Sequence, residues 1–244
     1  MIVDARPLPL YPTDRDTLAT LAVTVILPAY NEAAALPIVL AGLIVALGDS
    51  GDSEIIVVDD GSTDGTALVA RDYPCRLLRH ARNRGKGAAV RTGLRAARGN
   101  FIVVMDADCT YPVTAVPAML ALAREYDFVR CTRCDGTANI PPLNRLGNRL
   151  LNEALRTLHG VEGDDHLSGL YGLRRTALDA MALTAERFDL EVEIAVKAHA
   201  ARLRAVSLPI NYGARLGPKK LRAWRDGWSI LCRAMSLAFY ERLA

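Results

Sequence analysis

The sequence predicts an α/β protein whose central sheet is mostly parallel, with helices on both faces. Three observations predict it. Short apolar runs alternate with helix-patterned segments from about Leu21 to Val129, the βαβα order that builds such a sheet. Two of the runs, Ile55–Val58 and Phe101–Met105, are uninterruptedly apolar, as strands buried on both faces require. Each of these leads directly into carboxylates, Asp59-Asp60 and Asp106-Ala107-Asp108, at the carboxyl edge where open α/β sheets bind ligands.

Taken in order, strands are expected at Val23–Leu27, Glu54–Val58, Arg76–Leu78, Phe101–Met105 and Phe128–Cys131. Helices are expected between them at Glu32–Leu47, Thr63–Asp72, Gly87–Ala97 and Val113–Tyr126. Ser62 or Asp64 suits the N-cap of the second helix, and Gly99 can end the third. After Cys131 the rhythm breaks. A loop at Gly136–Pro142 precedes a helix at Leu143–Leu158, an acidic loop at Gly160–Ser168 and a strand at Leu170–Leu173; a helix at Leu190–Ala201 and a strand at Ala205–Ile210 follow. No repeat or low-complexity linker divides the halves. Residues 21–213 therefore read as one domain, between a loose leader at 1–20 and a basic amphipathic tail at 214–244.

With 51% apolar and 23% charged residues among 244, the chain has ordinary globular composition. A net charge of +3 is too mild to argue for a nucleic-acid partner. The basic excess is local: seven Lys and Arg from Arg215 onward face Asp226 and Glu241. In that tail Leu221, Trp224, Trp228, Leu231, Met235 and Phe239 share one helical stripe, with Arg222, Arg225 and Arg233 off it. Such a helix can lie in an anionic bilayer interface. It can equally pack on its own domain, or on a second subunit as a homodimer. Five cysteines form no disulfide framework, and Cys131-x-x-Cys134 has no second pair to complete a zinc site. Reduced thiols and the lack of a secretory signal point to the cytoplasm, at the inner face of the cell membrane if the tail binds lipid. The longest apolar run, Leu36–Leu47, falls short of the roughly 20 residues a membrane span needs.

Three motifs carry chemistry. Pro28-Ala29-Tyr30-Asn31-Glu32 sits where the first strand becomes the first helix; alone it is an ordinary strand-to-helix turn. Asn83-Arg84-Gly85-Lys86-Gly87 precedes a helix without Walker spacing. Its glycines let backbone approach an anion beside helix amides, though a capping turn would look the same. Asp106 and Asp108, two residues apart at a strand end, can hold a hard divalent cation that also grips a diphosphate. Acidic strand ends also arise because Asp favours turns and N-caps.

Jointly, VILPAYNE, IIVVDDGSTDGT, NRGKGAAVRTGLRAARG and VVMDADCTYP, in that order, closely resemble glycosyltransferase family 2. They look most like its dolichyl-phosphate mannosyltransferase, or polyprenyl-phosphate glycosyltransferase, branch, over about Val23–Tyr212. The resemblance implies a GT-A, Rossmann-like fold and inverting transfer from a GDP- or UDP-linked sugar. It implies that Pro28, Tyr30, Glu32, Asp59 and Asp60 bind the nucleoside; in the glycine motif, Arg84 or Lys86 would add charge for a phosphate. Asp106 and Asp108 would hold Mg²⁺ or Mn²⁺, Asp108 leading. The Gln that the branch usually carries two positions later is Thr110 here.

Asp165-His166-Leu167-Ser168-Gly169 resembles the branch's D-x-x-S-G, with Tyr171 where an Arg often stands. Phe188–Glu193 resembles its acidic helix start and brings in Glu193. Tyr212–Leu221 resembles its Y-x-x-R-x-G-x-x-K-L stretch and brings in Arg215 and Lys220. Arg133 and Arg145 fall near the arginines the branch uses on the acceptor phosphate. A polyprenyl phosphate is already ionised near pH 7, with a second pKa of roughly 6, and needs positioning. A hydroxyl of a small-molecule acceptor, the alternative, needs a base: Asp165 first, with Asp164, Glu191 and Glu193 behind it.

Overall fold

The computed structural model describes residues 22–48, 52–135, 139–217 and 223–241; the leader, Lys220 and Leu221 lie outside them. Seven strands, β1 (Val23–Ala29), β2 (Ser53–Asp59), β3 (Arg76–Arg79), β4 (Phe101–Met105), β5 (Phe128–Asp135), β6 (Leu170–Arg174) and β7 (Ala205–Asn211), form one sheet in the order β3-β2-β1-β4-β6-β5-β7. All neighbours run parallel except β6, which pairs antiparallel with both β4 and β5. The helices are α1 (Leu36–Leu47), α2 (Thr66–Arg71), α3 (Lys86–Ala96), α4 (Ala115–Leu122), α5 (Pro142–His159), α6 (Arg175–Met181), α7 (Leu190–Ala200) and α8 (Ala223–Glu241). The fold is the α/β arrangement expected, with α6 and the extension of β5 to Asp135 added.

Period-two alternation divides each central strand between two cores. Val25, Leu27, Phe101, Val103 and Met105 face α1 and α4, packing on Leu36, Leu40, Leu43, Val116 and Met119. Ile26, Ile56, Val58, Ile102 and Val104 face the other way, onto Ala89, Val90 and Ile194 of α3 and α7. Burial on both sides explains why these strands read as continuous apolar runs. Order along the sheet reverses between β1 and β4, so a crevice opens at their carboxyl ends. That is where both acidic clusters emerge.

A third core joins α8 to the body. Ile230 and Ala234 pack with Leu151 and Leu155 of α5 and Val192 and Val196 of α7. Arg233 adds an ion pair to the buried Glu193 at 2.9 Å. The stripe read from the sequence is offset from this packed face: Trp228 is 69% exposed and Met235 53%, while Leu231 is half-buried. One face of α8 therefore docks on the domain and the neighbouring face meets solvent. The side chains of Trp224, Arg225 and Phe239 lie outside the described residues.

Candidate active site

Three strand ends build the crevice. At the end of β1, Asn31 takes a left-handed backbone (φ 51°) and its Oδ1 accepts from the Thr63 amide at 2.8 Å. The Glu32 amide donates to Thr66 Oγ1 at 2.8 Å. These bonds knit the Tyr30–Glu32 turn to the turn that follows β2 and bring Glu32, buried, to the cavity. At the end of β2, Asp60 accepts from the amides of Arg84 and Gly85 at 2.9 and 2.8 Å, and His80 Nδ1 lies 2.6 Å away. Asp60 thus fixes the loop into α3. Gly85 enters that helix at φ 101°, a conformation glycine tolerates.

At the end of β4, Asp106 and Asp108 face the cavity. Lys86 Nζ bridges Asp106 Oδ1 at 2.7 Å and Glu191 Oε1 at 2.6 Å. Burial opposes the Lys86 charge, but Asp106 and Glu191 outweigh it and hold its pKa well above the usual lysine value. Burial likewise raises Asp106 and Glu191, with Lys86 pulling against it. Asp108 Oδ1 accepts from Thr110 Oγ1 at 2.5 Å and the Thr110 amide at 3.1 Å. Its Oδ2 pairs with Arg215 Nη1 at 2.7 Å, while Arg215 Nη2 reaches Glu32 at 2.9 Å. A side chain at Gly169 would run into the Asp106 carboxylate, so that position must stay bare.

Arg133 of β5 closes the far wall. Asp165 grips it by Nε at 2.8 Å and Nη2 at 2.5 Å, and accepts its amide at 2.9 Å. The guanidinium lies 5.3 Å from the Tyr212 ring centroid, and Tyr212 stacks edge-on with Tyr111. The Asp165 partnership raises the pKa of Arg133 despite burial.

Together these groups line a cavity of about 840 Å³. Its polar end holds Tyr30, Glu32, Asp60, Lys86, Asp106, Asp108 and Arg215. Its apolar lining is Leu143, Leu146, Leu150 and Leu151 of α5 with Ile230 of α8, and Arg133 lines it too. Pro28 also lines it.

Several expected site residues sit elsewhere. Asp59 faces inward from the lining, taking the Ser62 amide at 2.8 Å and Arg79 at 2.9 Å, so it shapes the turn. Ser168 is buried beside β6, outside the cavity lining. Glu193 points one helical face away from Glu191 and anchors Thr184, Ala185, Lys197 and Arg233. Arg145 is exposed on α5, away from the cavity wall. Asp165 meets Arg133 with both oxygens, which leaves it poorly placed to act as a base. Glu191 lines the cavity, paired with Lys86. The leucine wall was missed, although Leu143, Leu146 and Leu150 follow the three- and four-residue spacing of one helical face.

Comparison with known proteins agrees with this architecture. The family model for glycosyl transferase family 2 matches residues 24–179, and the chain belongs to that family. It is 33% identical over 201 residues to glycosyltransferase AglJ of Haloferax volcanii, covering 80% of this chain and 64% of that protein. The chain thus spans less than two thirds of that relative's length. It is 29% identical over 214 residues to a dolichol-phosphate mannosyltransferase of Mycosarcoma maydis, covering 82% of this chain and 73% of the relative. Among solved structures, glucosyl-3-phosphoglycerate synthase of Mycobacterium tuberculosis, in complex with Mn²⁺, UDP-glucose and phosphoglyceric acid, superposes with a TM-score of 0.75. That match is 24% identical and covers 90% of this chain and 80% of the other; it shows the shared GT-A fold.

Proposed function

We propose that this chain transfers a sugar, with inversion, from a nucleoside-diphosphate sugar to the phosphate of a polyprenyl phosphate. The observation that carries the reading is that Asp106, Asp108, Arg133 and a leucine wall line one and the same cavity. Leu143, Leu146 and Leu150 on that wall are 55%, 54% and 63% exposed. Apolar surface of that extent beside a charged crevice suits an amphiphile, with its phosphate at Arg133 and its chain along α5. The name of the Mycosarcoma maydis relative points to the same acceptor class.

Asp106 and Asp108 fit a divalent ion. Both are hard oxygen donors opening on the cavity, and among the described residues no group of three or more His, Cys, Asp or Glu is assembled to hold a metal. The diphosphate and water would supply the remaining ligands, as Mg²⁺ favours. When bound, Mg²⁺ or Mn²⁺ neutralises charge on the departing diphosphate. The chain's own residues do the rest. Pro28, Tyr30, Glu32 and the loop fixed by Asp60 hold the nucleoside end, and Lys86 and Arg215 supply positive charge at the phosphates. Arg133, oriented by Asp165, sets an acceptor phosphate oxygen against the anomeric carbon. That oxygen bonds to the carbon as the bond to the nucleoside diphosphate breaks, and no proton need be removed. A hydroxyl acceptor would instead call on Glu191.

The exposed face of α8 and the leucines of α5 are proposed to touch an anionic membrane at its cytoplasmic side. Among the described residues no helix is long and apolar enough to cross one. The test is a panel of GDP- and UDP-sugars with Mg²⁺ or Mn²⁺, with and without a polyprenyl phosphate, scored by product mass. A glycosylated lipid phosphate supports the reading; lipid-independent transfer to a hydroxyl sinks it.

A further inference from the structure

Asp108, the leading candidate ligand, is engaged by this chain at both oxygens. Thr110 takes Oδ1 and the Arg215 guanidinium takes Oδ2 at 2.7 Å. Arg215 lies on the segment that follows β7. That segment is held along the crevice by backbone bonds, Gly213 amide to Thr110 carbonyl at 2.8 Å and Leu216 amide to Asp108 carbonyl at 3.0 Å. A second anchor ties Arg215 to Glu32 on the opposite wall, at 2.9 Å. Arg215 therefore bridges the ends of β1 and β4 beside the Asp106/Asp108 pair.

We propose that Arg215 is a displaceable counter-ion: it closes the empty crevice on Asp108 and yields that carboxylate to the entering cation. It then turns its charge to the donor diphosphate. This rests on the reading that Asp106 and Asp108 take a divalent ion. The chemistry of the exchange is simple. A guanidinium and a divalent cation cannot share one carboxylate oxygen without strong repulsion, so the first must leave Oδ2 for the second to bind there. Once the diphosphate is present, it offers the planar guanidinium a bidentate partner. Arg215 thus opposes the metal when the nucleotide is absent and assists the nucleotide when the metal is present.

Opposite signs make the idea testable without turnover. Mn²⁺ binding to the whole chain is measured by electron paramagnetic resonance of free Mn²⁺, and binding of UDP and GDP is then measured by calorimetry at saturating Mn²⁺. Wild type, Arg215→Gln, Arg215→Lys and Asp108→Asn are compared, each checked for its melting temperature. Removing the guanidinium should tighten Mn²⁺ alone about tenfold, weaken the preferred nucleotide about tenfold, and leave Arg215→Lys between the extremes. Asp108→Asn should lose Mn²⁺ binding. If wild type binds no Mn²⁺, or Asp108→Asn binds it normally, the metal-site reading itself is overturned. If Asp108→Asn behaves as expected but Arg215→Gln leaves Mn²⁺ affinity unchanged or lower, the counter-ion role alone is overturned. Tighter Mn²⁺ with undiminished nucleotide affinity overturns the handover to the diphosphate.

Discussion

Asp165 holds Arg133 from three directions, its Oδ2 accepting from Nε and the backbone amide and its Oδ1 from Nη2. Both side chains are about nine-tenths buried. A carboxylate so engaged orients a cation and does not wait for a proton. Asp165→Asn should raise the acceptor KM at least as much as it lowers kcat, and leave the acid side of the pH–rate profile, where a carboxylate base would titrate, unchanged. Breaking such a buried pair from one side should also cost about 3 kcal/mol of stability. A nearly dead variant with normal acceptor binding and loss of a base-like ionisation would restore Asp165 as a base.

Lys86 stands between two buried carboxylates, Asp106 and Glu191. Lys86→Met leaves both without their shared cation and should destabilise the fold by about 3 kcal/mol or more. Glu191→Gln should be milder, because Lys86 keeps Asp106. Melting curves of the two variants check the order. If the Glu191→Gln protein is the less stable, Glu191 has a further role in the core.

The two faces of α8 make separable predictions. Trp228 is exposed, so Trp228→Ala should change stability by less than about 0.5 kcal/mol yet weaken salt-sensitive binding to anionic vesicles. Ile230 is buried against α5 and α7, and Ile230→Ala should cost about 2 kcal/mol or more. Sedimentation with vesicles and thermal melts read the two effects. No vesicle binding by the wild type would leave α8 a packing helix only.

Acid should act first through His166. Burial, with Arg130 beside it, lowers its pKa from 6.5 to about 4. The unfolded chain takes up the proton first, so stability should fall as pH drops from about 6.5 to about 4. Glu193, whose partners outweigh burial and lower it from 4.5 to about 2, contributes stability above 4.5 that is lost only as pH falls toward 2. Denaturant titrations across pH should show His166→Asn flattening the upper window alone.

Much of this was legible because the signals were local. Buried parallel strands announce themselves as apolar runs, and Asp106, Asp108, Glu32, Asp60 and Lys86 stand beside strand or helix ends that fix their direction. Where reading failed, neighbours far apart in sequence decided the outcome. Glu191 and Glu193 lie two residues apart on α7, and only the docking of that helix determines which one reaches the cavity. Asp59 ends β2 and Asp60 follows it, so one shapes the turn while the other holds the loop into α3. Arg145 and Arg133 looked alike until α5 turned Arg145 to solvent. The tail stripe was offset because α5 and α7, distant in sequence, select the face of α8 that packs.

Whether the acceptor is a lipid phosphate can be decided by a single comparison. The same donor and divalent ion are offered a polyprenyl phosphate and the corresponding polyprenol, equal in chain and differing only in the phosphate, and products are weighed by mass spectrometry. Transfer is expected to the phosphate alone, with Arg133→Ala sharply reducing it and Arg145→Ala leaving it near normal. Equal or better transfer to the polyprenol, or transfer to the phosphate untouched by Arg133→Ala, would contradict this expectation.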